Sequence, residues 1–157
     1  GGVKIPPGAV AMDAGSAPGG WTQFLLAQQC QKVYAVDPAD MEIRPTGAFS
    51  HMKMKVQDAI PILEADGVQL DVFVSDMCLQ EISSLVAIFE EVLKANLLKP
   101  NATVILTFKS VPGRGKASYE QIVSMYAEQL GQWCSHWQMI HLLSNRERER
   151  TFIGVVR

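Results

Sequence analysis

The segment Asp13-Ala14-Gly15-Ser16-Ala17-Pro18-Gly19-Gly20-Trp21 follows an apolar run and sets a carboxylate beside three glycines. Glycines let the backbone approach a ligand closely and adopt conformations closed to other residues. A helix beginning just after them offers free N–H groups. Any tight turn between a strand and a helix could use the same residues. A dinucleotide-binding turn needs G-x-G-x-x-G, but the third position counted from Gly15 is Ala17. A phosphate-binding P-loop needs G-x-x-x-x-G-K-[ST]; around Gly115-Lys116, Ser110 replaces the first glycine and Ala117 the hydroxyl. Further along, Asp37 closes a second apolar run, where a carboxylate can accept both hydroxyls of a ribose, although Asp37-Pro38 would equally open a turn. Asp76 and Lys109 each follow an apolar run, and Glu149 precedes one. On spacing alone Lys109 reads as a solvated lysine. Glu149 lies in the charge run Arg146-Glu147-Arg148-Glu149-Arg150, the ordinary pattern of a solvated turn, with Glu147 a rival in register. Asp58 suits either a ligand contact or a helix N-cap.

Short β-rich runs alternate with helical patterns, which predicts an α/β, doubly wound, mostly parallel sheet with ligands at the strand C-termini. Strands are expected at 9–14, 32–36, 52–56, 71–75 and 103–108, and two late ones at 133–143 and 151–156. The last two, with little helix between them, suggest antiparallel pairing at a sheet edge. The stretch 39–51 reads as loop. Helices are expected over 21–29, after a cap at Asp58, and from Ser118, whose Gln121 completes a capping box, to a stop at Gly131. The clearest helix carries Ile82, Leu85, Val86, Phe89, Val92, Leu93 and Leu97 on one apolar stripe, with Lys99-Pro100 as its terminator.

The string D-x-G-x-x-P-G-G-W resembles the first motif of the FtsJ-type (RrmJ-like) ribosomal RNA 2′-O-ribose methyltransferases, which RlmM-type enzymes share. The resemblance runs in order along the chain through Asp37, Val56-Gln57-Asp58-Ala59, Ser75-Asp76-Met77, Phe108-Lys109-Ser110-Val111-Pro112 and Arg148-Glu149-Arg150-Thr151. It implies a Rossmann-like, class I fold that uses S-adenosyl-L-methionine (SAM), with seven strands and the last antiparallel. It implies SAM binding by Asp13, Gly15, Ser16, Pro18, Gly19, Trp21, Asp37, Asp58 and Asp76. It also implies a catalytic group of Asp76, Lys109 and Glu149. The family's tetrad has a further lysine on an upstream helix. Lys4, the only lysine before Asp13, lies too close to it in a Lys-Ile-Pro-Pro setting and is not assigned. The expected chemistry is attack of a ribose 2′-oxygen on the sulfonium methyl. Lys109 would lower the hydroxyl's pKa, and Asp76 and Glu149 would keep that ammonium charged. The other readings are a non-catalytic SAM-binding module, an mRNA cap 2′-O-methyltransferase and, more distantly, a nicotinamide-binding dehydrogenase.

The 157 residues suit a single domain, expected to be a fragment of a longer protein. Their 48% hydrophobic and 19% charged content excludes a disordered or collagen-like chain. No apolar run approaches the ~20 residues that cross a bilayer, so no membrane partner is expected. Cys30, Cys78 and Cys134 show no C-x-x-C pairing, which favours a reducing intracellular compartment, cytoplasm or organelle. His51, His136 and His141 lack metal-ligand spacing, so no metal is expected. The net charge of −2 argues against coating of nucleic acid by the whole surface. The expected partner, RNA and most simply rRNA, would need a local basic face. Its candidates are Arg44, Lys53, Lys55, Arg114, Lys116, Arg146, Arg148 and Arg150. The sequence leaves the oligomeric state open.

Overall fold

The structure is a computed structural model that describes residues 4–44, 46–77, 82–109, 116–141 and 149–157. Arg114, Arg146, Glu147, Arg148, Cys78 and the Ser110-Val111-Pro112 segment lie outside the described residues. Strand β1 (Val10–Ala14) leads into α1 (Gly20–Ala27), β2 (Lys32–Val36) and β3 (Phe49–Met52). Helix α2 (Val56–Ala65), β4 (Leu70–Ser75), α3 (Ile82–Lys94) and β5 (Leu98–Lys109) follow. Helix α4 (Lys116–Gly131), β6 (Cys134–Ile140) and β7 (Glu149–Val156) complete the order. The seven strands form one sheet in the order β3-β2-β1-β4-β5-β7-β6. All pairings among β1 to β5 are parallel, and β7 runs antiparallel to both β5 and β6. The edge strands are thus β3 and β6, and β7 inserts between β6 and β5.

Strands buried on both faces sort their side chains by the period of two. On β1, Met12 and Ala14 enter the larger core beneath α2, α3 and α4, while Ala11 enters a smaller core with Leu25 of α1, Val72, Val74 and Ile105. The same alternation turns Asp13 toward α1. The chain leaves β1 toward β2 on one side and returns on the other to β4. The switch point of the sheet therefore lies at the C-terminal ends of β1 and β4.

Several expected boundaries move, each for a packing reason. The third strand is Phe49–Met52, not 52–56, and it takes residues expected to be loop. Val56 instead begins α2, because Val56, Ala59, Ile60 and Leu63 fall on one buried helical stripe. The cap of α2 is Lys55, so Asp58 lies in the first turn and is not the cap. Helix α3 ends at Lys94, well before Lys99-Pro100. Asn96 turns the chain with φ of 54°, and Leu97 is buried beyond the helix. Pro100 belongs to β5, at a register shift between Leu70↔Leu98 and Val72↔Thr103, where no ladder donor is needed. Ser118 lies inside α4, which starts at Lys116, so it does not cap that helix. Gly131 is the last helical residue, set against the Trp137 indole where a side chain would collide.

Candidate functional site

The glycine turn is built by what it must avoid. Gly15 has φ of 78°, and a Cβ there would run into the Met77 side chain. Gly19, the N-cap of α1, has φ of 137°, and a Cβ there would strike Ile43. Both positions therefore require glycine twice over, by conformation and by space. The Gly15 and Ser16 amides donate to the Val36 carbonyl at 2.8 and 3.1 Å, tying the turn to the end of β2. Just beyond, Asp37 Oδ2 accepts from the Ala17 amide at 3.1 Å and Oδ1 from the Ala39 amide at 2.8 Å. Asp37 thus opens its own turn and braces the glycine turn. Each oxygen keeps a further lone pair for a ligand.

A cavity of about 640 Å³ opens over this switch point. Gly15, Ala17 and Pro18 form one wall, Asp37 and Pro38 another, and Asp76, Met77 and Lys109 a third. Lys55, Val56 and Gln57, at the start of α2, close the side away from Lys109. The Lys109 ammonium meets Asp76 Oδ1 at 3.2 Å. The β5–β7 register sets Lys109 directly opposite Glu149. Facing residues of an antiparallel pair share a sheet face, so Asp76, Lys109 and Glu149 gather on one rim.

Asp13 lies beneath this rim, 1% exposed. Its Oδ2 accepts from the Thr22 hydroxyl at 2.7 Å, a buried bond between β1 and α1. Oδ1 has no hydrogen-bond partner among the described residues. Burial pushes the carboxyl from 3.8 up to about 7; the Thr22 bond opposes this, and the nearby negative charges of Asp76 and Asp37 add to it.

The structure brings Gly15, Pro18, Asp37, Asp76 and Lys109 to one cavity, with Asp13 below and Glu149 beside it. Other expected ligand contacts stand apart. Asp58 is exposed outside the cavity lining, and its place in the first turn of α2 suits the helix dipole. Trp21 makes an edge-on contact with Phe24 and packs on the smaller core, also outside the lining. Ser16 is buried and donates to the Met41 sulfur at 3.1 Å. Lys4 borders a separate cavity near Thr103 and Val155. Those two residues face each other six positions along β5 from Lys109, about 20 Å at the usual rise per residue. Lys55 was expected only as a contact of the basic face, and Gln57 and Met77 only as neighbours of Asp58 and Asp76 in the family-like strings; Thr22, adjoining the glycine string, was not singled out.

A doubly wound sheet with an inserted antiparallel seventh strand and a glycine turn at its switch point is the class I methyltransferase architecture. Solved structures bear out the fold. Fibrillarin from Methanococcus jannaschii, described as a pre-rRNA processing protein, superposes with a TM-score of 0.72 at 14% identity, over 99% of this chain and 70% of that one. Human methyltransferase-like protein 13, in complex with S-adenosylhomocysteine (SAH), gives 0.69 at 13% identity over 98% and 73%. The FtsJ-like methyltransferase family model matches residues 2–122, and the chain belongs to that family. Ribosomal RNA large subunit methyltransferase E from Halorhodospira halophila is 32% identical over 75 residues, 45% of this chain and 35% of that protein. Its counterpart from Nitrosomonas eutropha is 33% identical over the same length. The chain thus spans about a third of the length of these relatives.

Proposed function

We propose that the chain transfers a methyl group from SAM to a ribose 2′-hydroxyl of RNA, ribosomal RNA above all. The observation that carries this reading is the Asp76–Lys109 ion pair, with Glu149 opposite, on the rim of a cavity built over the glycine turn. The cavity suits the donor on its own features: a cradle that a Cβ at Gly15 would fill, the Asp37 carboxylate at the lip and a buried carboxylate oxygen without a partner among the described residues. Asp37 would hold the donor's ribose hydroxyls, the glycine turn its amino-acid end, and Lys55 and Gln57 would border its base. Bound there, SAM supplies a methyl carbon made electrophilic by the attached sulfonium.

The chain's own contribution is positioning and charge. Asp76 holds the Lys109 ammonium by the ion pair and favours its charged form. That ammonium orients the 2′-oxygen and stabilises the negative charge that develops as the hydroxyl proton leaves for solvent. Glu149 helps fix the ammonium from the facing strand. Arg44 and Lys55, both exposed, are candidate phosphate contacts. Arg150 already pairs with Glu120 at 3.2 Å and Lys53 with Asp40 at 2.8 Å, which leaves them less available. The thiols of Cys30 and Cys134 are buried and free, in keeping with a reducing intracellular compartment.

The test is calorimetric titration with SAM, SAH and NAD, beside transfer of tritiated methyl to rRNA and to rRNA already 2′-O-methylated. Binding of SAM and SAH but not NAD, with label entering only unmodified rRNA, is the expected result. NAD binding without SAM binding would overturn the assignment of the cavity.

A further inference from the structure

Helix α4 lends no side chain to the rim, yet it reaches the two peptide groups that carry Lys109 and Glu149. In the β5–β7 ladder Phe108 pairs with Arg150, and the next pair is Lys109 with Glu149. Successive pairs face opposite sides of a sheet, so Phe108, buried with Tyr119 in the larger core, faces α4 while Lys109 faces away from it. On α4, Tyr119, Val123, Ala127 and Leu130 form one buried stripe. A phenol on such a stripe needs partners for its hydroxyl. It finds them in both strands. The Tyr119 hydroxyl donates to the Phe108 carbonyl at 2.9 Å, and the Arg150 backbone N–H donates to the same phenol oxygen. Burial pushes the phenol up to about 12, so it keeps the proton that it donates. Glu120, the next residue of α4, accepts from the Arg150 guanidinium at 3.2 Å, and that guanidinium donates to the Glu149 carbonyl at 2.9 Å.

Every one of these bonds falls on a peptide plane beside the rim. The Phe108 carbonyl belongs to the planar group that ends at the Lys109 nitrogen and Cα. The Glu149 carbonyl and the Arg150 N–H belong to one plane, which begins at the Glu149 Cα. A single hydroxyl thus bridges the plane before Lys109 and the plane after Glu149, and the second plane is held at both its donor and its acceptor. Rotation of either plane would swing a rim side chain, and the long lysine stem would enlarge the swing at its ammonium. We propose that Tyr119, seconded by Glu120 through Arg150, is a positioning residue for methyl transfer: its hydroxyl joins β5 to β7 at the Phe108–Arg150 pair and so fixes Lys109 and Glu149 relative to each other on the opposite face. The inference rests on the reading of the rim as the methyl-transfer site and adds to it the source of the rim's alignment. Tyr119 acts through Lys109 and Glu149 and touches neither the donor nor the RNA.

The test uses Tyr119→Phe, which keeps the ring in the core and removes the hydroxyl. Glu120→Gln, at a partly exposed position, keeps an oxygen acceptor and removes the charge. Steady-state methyl transfer to rRNA is measured beside SAH affinity by calorimetry and backbone order parameters by NMR, all well below each unfolding midpoint. Tyr119→Phe should lower kcat about tenfold, as when reacting groups lose alignment, while SAH affinity and the KM for SAM stay level. Glu120→Gln should lower kcat by a smaller factor. Order parameters should fall at the amides of Lys109 and Arg150 and hold at Ile105 and Ile153, further along the same ladder. In a Lys109→Arg background, which keeps partial turnover, Tyr119→Phe should cost less than about threefold, because residues acting through one group do not add. Unchanged kcat in Tyr119→Phe, unchanged order at Lys109 and Arg150, or full additivity with Lys109→Arg would each overturn the proposal. A loss of SAH affinity in step with kcat would overturn it too, since Tyr119 would then serve the fold alone. Should Tyr119→Phe fold poorly, Glu120→Gln decides by the same kcat and by order at Arg150. Absence of methyl transfer by the unaltered chain would instead overturn the reading of the rim, and the proposal with it, even where the order parameters fall.

Discussion

Replacing Asp13 by Asn should change how the stability of the fold depends on pH. The carboxyl titrates near 7 in the folded chain and at 3.8 when unperturbed, because burial penalises its charge and Asp76 and Asp37 add repulsion. Between those two values the folded state holds a proton that the unfolded chain has lost. Stability must therefore fall as pH rises through that window, and level off above about 7. Each pH unit is worth about 1.4 kcal/mol, so the whole window amounts to ~4 kcal/mol, and the interval from pH 5.5 to 8.5 to ~2 kcal/mol. Asn carries the shape of the protonated form, can still accept from Thr22 and does not titrate. The assay is urea unfolding of both proteins at pH 5.5 and 8.5. Other groups contribute equally to both chains, so the informative quantity is the difference between the two pH effects. With a urea slope of about 1–3 kcal/mol per molar, the unaltered chain should lose on the order of 1 M in midpoint relative to Asp13→Asn. An identical pH effect in the two proteins would refute the reasoning, since the buried charge would then cost nothing.

Three further outcomes are expected. Lys109→Ala should cut methyl transfer by about 10²–10⁴-fold while SAM affinity stays nearly level, with Lys109→Arg only a partial rescue, as turnover beside a dissociation constant will show. Gly15→Ala should weaken SAM binding at least about tenfold through collision with Met77 and the strained φ, and adding Met77→Ala should recover only part of the loss, because the backbone penalty remains. Asp37→Ala should weaken SAM binding by about 1–3 kcal/mol in a calorimetric titration. It should also speed amide exchange at Ala17 and Ala39, whose N–H groups lose their acceptor.

Fold class and much of the site could be read from the sequence because the signals were local. Apolar runs alternating with helical stripes imply a parallel sheet, and Asp13–Trp21 is a contiguous string that, taken whole, is far more specific than the glycines alone. Asp76 and Lys109 could be placed on the rim because each directly ends a strand. Period alone could not decide Met52–Val56. Its alternating side chains suit a strand, yet burial of Val56 with Ala59, Ile60 and Leu63 draws the segment into α2. Nor could it place Pro100, since whether a proline ends a helix or sits in a strand depends on which partner strand asks for its missing donor. The resemblance grouped Glu149 with Lys109, but their direct opposition, forty residues apart in the chain, was decided by the insertion of β7 between β5 and β6. Most of all, the state of Asp13 is a tertiary property. Its type and position were plain in the string, but its raised pKa arises from burial under α1 and from carboxylates delivered by two other strands, and solvation and Coulomb interactions follow distance in space, not along the chain.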